Sequence, residues 1–260
     1  NNKVIWITGA SSGIGKSLAI ELSNYPCQLI LSARRKEVLE EVKQQCKYPE
    51  NVAILPFDLA DYKEMPHIAN EAITYFGVVD MLINNGGISQ RSPIIETAIE
   101  VDKKLIDIDY LGTVALTKAI LPHFVTNQSG YFVVVSSLMG KFSSPLRSAY
   151  CAAKHALHGF FDTLRAEHHQ DGISVTLICP GFIRTQVSIN AVTGDGSPLG
   201  EMDQAQDQGM SPEACAEAIF RALVKKKEEV YIGGKETLAV YLKRFLPGLF
   251  SRILQTAKVR

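Results

Sequence analysis

The chain has 260 residues, 46% of them hydrophobic, and carries 27 basic and 27 acidic side chains. That length and apolar content suffice for one large core and a single α/β domain over 1–260. The balanced charge excludes a nucleic-acid-binding surface as the main business of the protein.

Five cysteines form no Cys-x-x-Cys pair, and their odd count and wide spacing read as reduced, intracellular thiols. No apolar run reaches membrane-span length and no signal peptide is visible, which makes a cytoplasmic location the expectation. The sequence opens at Asn1, directly ahead of the first predicted strand, and leaves open whether a leader or anchor precedes it.

That first strand, 3–7, runs into Thr8-Gly9-Ala10-Ser11-Ser12-Gly13-Ile14-Gly15. A helix follows to about Asn24, with Ile14, Leu18, Ala19 and Leu22 at helical spacing. Strand, glycine-rich turn and helix start together form an anion site. Glycines allow unusual dihedrals and close backbone approach, while helix N-terminal amides face a bound anion. An ordinary glycine turn is the alternative, and the strand-to-helix context weighs against it.

Strand 28–32 and helix 36–46 come next, separated by Ala33-Arg34-Arg35 with no carboxylate before Glu37. Further along, strands are predicted at 52–57, 79–83, 131–136, 174–178 and 230–232. Helices are predicted at 63–76, 149–170 and 212–225, with a long helical stretch over 99–126. Such alternation is the sign of a doubly wound parallel sheet of seven strands, with helices on both faces and right-handed crossovers.

Residues 186–210 break the pattern, with four glycines among polar residues. Lying after the sixth strand's carboxyl end, they read as a mobile substrate lid at the ligand crevice, a tolerated insertion being the alternative. From 235 to 260 the chain is apolar and basic, and Pro247-Gly248 split it into two short helices. This extension could cap the substrate pocket, pack in a dimer or touch a membrane surface.

Three residues in the middle of the chain carry chemistry. Ser137 ends the β-branched run Phe132-Val133-Val134-Val135, and Tyr150 and Lys154 lie one helical turn apart. An isolated phenol titrates near about 10, and a neighbouring ammonium favours the phenolate. That pairing suits Tyr150 to general acid/base work, with Ser137 holding the same substrate oxygen. The trio fits proton transfer to or from a carbonyl or alcohol oxygen. Tyr-x-x-x-Lys by itself is weak, since chance supplies it in many helices; its weight comes from the glycine loop at the other end of the chain.

These motifs, in this order, resemble the short-chain dehydrogenases/reductases over roughly residues 3 to 235. The resemblance rests on the Thr8–Gly15 loop, Asn84-Asn85-Gly86-Gly87, Ser137 with Tyr150 and Lys154, and Pro180-Gly181 followed by Thr185. Stretches such as Ala-Val-Tyr-Leu-Lys-Arg-Phe-Leu-Pro-Gly-Leu-Phe are similar to the family's dehydrogenase/reductase member "seven B" branch, among membrane-associated lipid and steroid reductases. The resemblance implies a Rossmann fold and a carbonyl–alcohol oxidoreductase using a nicotinamide dinucleotide on a small molecule.

Cofactor contacts would come from Gly9, Ser11, Ser12, Gly13, Ile14 and Gly15, then Asp58 and Leu59, then Asn85, Gly86 and Gly87. Tyr150, Lys154, Pro180, Gly181, Ile183 and Thr185 would complete them. In dinucleotide folds an acid at the end of the second strand takes the ribose hydroxyl, whereas basic residues meet a 2′-phosphate. Arg34 and Arg35 therefore point to NADP(H), because guanidinium groups suit phosphate and cations at a helix start otherwise oppose its dipole.

Asp109 stands where the family usually has an Asn that completes a catalytic tetrad through a water near the Lys. The resemblance also implies pairing of the 99–126 helix across a two-fold axis, in a homodimer or homotetramer. Pocket walls over 139–147 mix Phe142, Pro145 and Leu146 with Arg147, which favours a bulky apolar carbonyl compound.

Two other functions fit parts of the sequence. A catalytically silent nucleotide sensor on the same fold conflicts with the intact Ser137, Tyr150 and Lys154. A metal hydrolase is prompted by six histidines, but His155 and His158 lack a carboxylate pair and His168-His169 cannot share a face, so no metal is expected.

Overall fold

Alternate residues of the first strand point to opposite sides, and both sides are apolar: Val4 and Trp6 on one, Ile5 and Ile7 on the other, all buried. A strand of that kind needs cover on both faces, which a parallel sheet with crossover helices supplies. The computed structural model describes residues 2–256. Its strands are β1 (Lys3–Thr8), β2 (Cys27–Ser32), β3 (Val52–Ile54), β4 (Met81–Asn84), β5 (Gly130–Val135), β6 (Ile173–Pro180) and β7 (Glu229–Ile232). They form one sheet in the order β3-β2-β1-β4-β5-β6-β7, every pair parallel. The order reverses between β1 and β4, and a ligand crevice opens at such a switch point.

The helices are α1 (Gly13–Leu22), α2 (Lys36–Gln45), α3 (Met65–Phe76), α4 (Ile99–Ile106), α5 (Thr113–Thr126) and α6 (Ser148–Glu167). Short α7 (Gln204–Asp207), then α8 (Pro212–Val224), α9 (Leu238–Phe245) and α10 (Pro247–Thr256) follow. Leu18 of α1, Leu39 of α2 and Ile219 of α8 pack with Ile5 and Ile7 on one face. Met65 of α3, Phe124 of α5 and Phe161 of α6 pack with Val4 and Trp6 on the other. Phe132 of β5 touches Phe124 and Phe161 with ring centroids 4.9 and 6.3 Å away. Fully burying a ring of this size contributes about 1.5–3 kcal/mol.

Several elements differ from expectation for local reasons. The third strand ends at Ile54 rather than 57, because Pro56 has no amide hydrogen. Only single bonds continue the ladder, from Leu55 N to Leu31 O and from Phe57 N to Ala33 O. The sixth strand runs to Pro180, its last residues pairing with Tyr231 and Ile232 of β7.

The stretch 99–126 is not one regular helix: a π-helical turn over Asp107–Gly112 separates α4 from α5. Such turns insert an extra residue and recur at functional sites. Gly112 is required there, since a Cβ would lie 2.3 Å from the Leu59 carbonyl oxygen. The C-terminal extension does split at Pro247, into α9 and α10; Lys258 and Arg260 lie outside the described residues.

The segment 186–210 folds back over the carboxyl ends of the strands and is stitched to its neighbours. The Arg91 amide donates to Val192 O at 2.8 Å, the Val192 amide to Ser89 O at 2.9 Å, and the Ala98 amide to Gly194 O at 2.9 Å.

Candidate active site

The β1–α1 turn is shaped by two glycines with left-handed backbones, Gly9 at φ +64° and Gly13 at φ +53°. Gly15 lies against the turn itself, where a Cβ would come within 2.3 Å of Gly9 O. The next layer holds the turn in place. Asn85 Nδ2 donates to Thr8 O and Gly9 O at 3.1 and 3.2 Å, and the amides of Asn85 and Gly86 donate to Thr8 Oγ1 at 3.0 Å. Ser12 caps α1 in an extended conformation without a side-chain hydrogen bond, and no acidic residue occupies the first turn. The free amides of that helix start are thus directed at the crevice, as an anion requires.

One cavity of about 900 Å³ runs along the carboxyl ends of the strands. Every residue anticipated at the site lines it except Gly15, which packs behind the turn, Asp109, which is wholly buried, and Leu146, expected in the pocket wall but absent from the lining. Arg34 and Arg35 are exposed at one end, beyond β2, and neither forms an ion pair among the described residues. Asp58 faces the cavity and accepts from the Ala60 amide at 2.9 Å. Free helix-start amides and a glycine turn that admits no side chain fit a dinucleotide.

Ser137 follows β5 and starts a tight turn, its Oγ accepting from the Met139 amide at 3.1 Å. Tyr150 and Lys154 project from the first turns of α6 into the same cavity, with Lys154 Nζ 5.6 Å from the Tyr150 ring centroid. Lys154 donates to Val135 O at 3.2 Å, which anchors the ammonium to the end of β5. Behind it, Asp109 Oδ2 stands 3.6 Å from Lys154 Nζ, while Asp109 Oδ1 accepts from the Ile88 amide at 2.8 Å. Burial pushes the Asp109 carboxyl above the ordinary carboxylate range, and Lys154 and the Ile88 amide pull it back only in part. Burial likewise pushes the neighbouring Cys151 thiol up, which leaves it a poor nucleophile.

Two clusters had no sequence signal. In the first, Asp203 Oδ2 lies 2.5 Å from Arg91 Nη2 and 3.1 Å from Arg147 Nη2, all three side chains being nearly buried. Asp203 and Arg91 are 112 positions apart, so no spacing could have paired them. Burial, then the Arg91 cation, lower the Arg147 guanidinium's pKa, with Asp203 opposing.

The second cluster lies under the Ser137 turn. Lys141 Nζ is 2.7 Å from Glu229 Oε2, His158 Nδ1 is 3.4 Å from the same oxygen, and His158 Nε2 is 3.1 Å from Ser136 Oγ. Burial raises the Glu229 carboxyl, but hydrogen bonds from His158, Lys141 and Tyr231 outweigh it and hold the pKa at about 2. Burial, joined by the Glu229 charge, pushes the adjacent Cys179 thiol up to about 12. His158, Cys179 and Glu229 have metal-ligating atoms within 4.8 Å of one another, but the Lys141 ammonium already supplies the positive charge there.

A doubly wound sheet, a glycine turn aimed at a helix start and a Ser, Tyr and Lys around one cavity define a nucleotide-binding oxidoreductase of the Rossmann type. Residues 3–195 match the family described as short chain dehydrogenase. The dehydrogenase/reductase SDR family member 7B of Bos taurus is 45% identical over 261 residues, covering 97% of this chain and 80% of that protein. Among solved structures, an alcohol dehydrogenase from the archaeon Thermococcus sibiricus, complexed with 5-hydroxy-NADP, superposes with a TM-score of 0.76 at 25% identity, over 90% of this chain and 97% of that one. A short chain dehydrogenase/reductase from Burkholderia phymatum, in complex with NAD, reaches a TM-score of 0.84 over 96% and 95% of the two chains; at 19% identity it speaks for the fold alone. The chain belongs to the short-chain dehydrogenase family.

Proposed function

We propose that the protein is an NADP(H)-dependent oxidoreductase interconverting a carbonyl and an alcohol, and that it reduces a bulky, largely apolar ketone or aldehyde. The observation that carries this reading is the convergence of Ser137, Tyr150 and Lys154 on the same cavity as the uncapped start of α1 and the unpaired Arg34 and Arg35. The two arginines support a 2′-phosphate-bearing cofactor. Reduction as the working direction follows from the usual cellular ratio of the two forms of that cofactor. Met139, Phe142, Phe182, Phe250 and Leu254 along the cavity support an apolar substrate.

When bound, the cofactor supplies the hydride; the protein supplies position and proton. Ser137 Oγ holds the carbonyl oxygen by a hydrogen bond. Tyr150 donates its proton to that oxygen as negative charge develops on it. Lys154, held by Val135 O, offsets the charge left on the phenol oxygen and reaches the ribose hydroxyls. Asn85, Gly86 and Gly87 let the backbone approach the adenosine ribose, while Ile183 and Thr185, just past Pro180-Gly181, orient the carboxamide end.

The test is NADPH oxidation with a panel of ketones and aldehydes. Turnover with NADPH should exceed that with NADH, and replacing Arg34 and Arg35 should shrink the preference. Tyr150→Phe should lower turnover about 10²–10⁴-fold and leave NADPH binding largely intact. Equal affinity for both cofactors would remove the phosphate assignment. Near-normal turnover in Tyr150→Phe would end the proton-transfer mechanism.

A further inference from the structure

Three polar side chains beside the Ser137 turn stop short of the cavity. Ser136, Ser137 and Leu138 line it, but Lys141, His158 and Glu229 do not. Whatever these three contribute to a reaction in the cavity therefore passes through other residues.

Tyr150, Lys154 and His158 follow one another at four-residue intervals along α6 and share a helix face. The first two meet the cavity; the third lies under the turn that follows Ser137. Its ring is only 7% exposed, and a buried polar nitrogen is costly unless a partner meets it. Nε2 has Ser136 Oγ at 3.1 Å, while Nδ1 faces Lys141 Nζ at 3.3 Å and Glu229 Oε2 at 3.4 Å. One ring thus joins α6 to the residue before Ser137, to the residue that closes the turn, and to β7.

Gly140 shows how closely the turn is seated. A Cβ there would stand 2.6 Å from Ser136 Oγ and 2.8 Å from His158 Nε2, so the turn backbone rests on the contact between those two atoms. Within the turn, the Gly140 amide donates to Ser137 O and the Lys141 amide to Leu138 O, each at 2.9 Å. The Met139 amide donates to Ser137 Oγ, so a shift of residues 138–140 drags that hydroxyl with it. Ser137 Oγ has no bond to α6 among the described residues; its other partner is Pro180 O at 3.5 Å. An apolar side chain would fill the place of His158 without the cost of burying two nitrogens, so packing alone does not account for this ring.

We infer that His158 is a positioning residue, which seats the Ser137 turn on α6 and so sets the Ser137 hydroxyl against the Tyr150 phenol. Lys141 and Glu229 hold the ring in that orientation. The inference rests on the carbonyl–alcohol reading of the cavity.

His158→Leu keeps an apolar body in the same space and removes the ring nitrogens. Misplacing a reacting group by about 1 Å can cost on the order of 10²-fold. For any ketone or aldehyde reduced with NADPH, kcat should fall at least about tenfold in this variant, with the KM for NADPH and the melting temperature nearly unchanged. His158→Gln, whose amide reaches toward Ser136 Oγ, should restore most of the loss. In a Ser137→Ala background His158→Leu should cost little more, because the group it positions is gone. Hydrogen exchange reads the same seating without substrate: the Met139, Gly140 and Lys141 amides should exchange faster in His158→Leu than in the unaltered protein. Should His158→Leu not fold, Lys141→Met frees Glu229 from its ammonium at a partly exposed position, and it should lower kcat and speed the same exchange.

Normal kcat in the variant that folds overturns the inference. So does unchanged exchange in the turn, or a His158→Leu loss that is as large with Ser137→Ala as without it. A parallel fall in cofactor affinity and melting temperature, with Gln no better than Leu, would reduce His158 to ordinary packing and overturn it as well. Failure of the unaltered protein to reduce any carbonyl compound is a different result: it removes the proposed activity, while faster exchange in His158→Leu still upholds the seating of the turn.

Discussion

Asp109 stands where the resemblance implies an Asn, and its surroundings say what that exchange should do. One carboxylate oxygen is occupied by the Ile88 amide; the other faces Lys154 at 3.6 Å with no hydrogen bond among the described residues. A neutral carboxyl can donate as an amide does, whereas an ionised one only accepts. Burial favours the neutral form, so ionisation is delayed to higher pH than for an ordinary Asp. Once ionised, Asp109 shields part of the Lys154 field from Tyr150. Asp109→Asn should therefore move the optimum of the pH–rate profile to lower pH while leaving the fold unchanged. Superimposable profiles for the two proteins would place Asp109 outside the proton path and leave Ser137, Tyr150 and Lys154 as the acting set.

Between elements, the proposed catalytic turn depends on a polar cluster joining three of them: Lys141 from the Ser137 turn, His158 from α6 and Glu229 from β7. Ser136 Oγ links the cluster to α6 by donating to Lys154 O at 3.3 Å. Glu229, held at about 2 against an ordinary 4.5, stabilises the folded protein above the ordinary carboxylate range. That contribution disappears as pH falls through its folded value. With partial exposure discounted, it is on the order of 2 kcal/mol. Thermal unfolding of Glu229→Gln should thus fall well below that of the unaltered protein at neutral pH, with the gap closing steadily as the solution is acidified below the ordinary Glu value. A gap independent of pH would mean that the side chain matters only for packing. On the other side of the cleft, Asp203 ties segment 186–210 to Arg91 and Arg147, so the expected lid is clasped by charge as well as by backbone bonds.

For the whole molecule, the 99–126 stretch bears on association. Of the apolar residues in the 99–126 stretch, Leu105 and Ile120 are consumed by the protein's own core. Ile106, Leu111 and Val114 remain partly exposed and available to a partner. Pairing of this surface across a two-fold axis places α5 against its counterpart. Light scattering at micromolar concentration should give a dimer or tetramer, and Val114→Glu should shift it toward monomer. A monomer alone in the unaltered protein would show that these side chains are tolerated surface.

Much of this was legible in the chain itself. Two-sided apolar strands alternating with amphipathic helices permit few arrangements besides a doubly wound parallel sheet, and the glycine turn and Tyr150-x-x-x-Lys154 are local patterns, so both could be read directly. Pro247 marked the break in the C-terminal extension for the same local reason. Tertiary structure decided whatever depends on distant residues meeting. The union of Asp203 with Arg91 and Arg147, and the Lys141–His158–Glu229 cluster, join segments from separate crossovers and leave no periodicity to detect. The π turn at Asp107–Gly112 belongs here too: Leu59 O lies where a Cβ at Gly112 would stand, and Asp109 sits behind Lys154. Helix propensity carries no record of that approach, because Leu59 comes from another part of the chain.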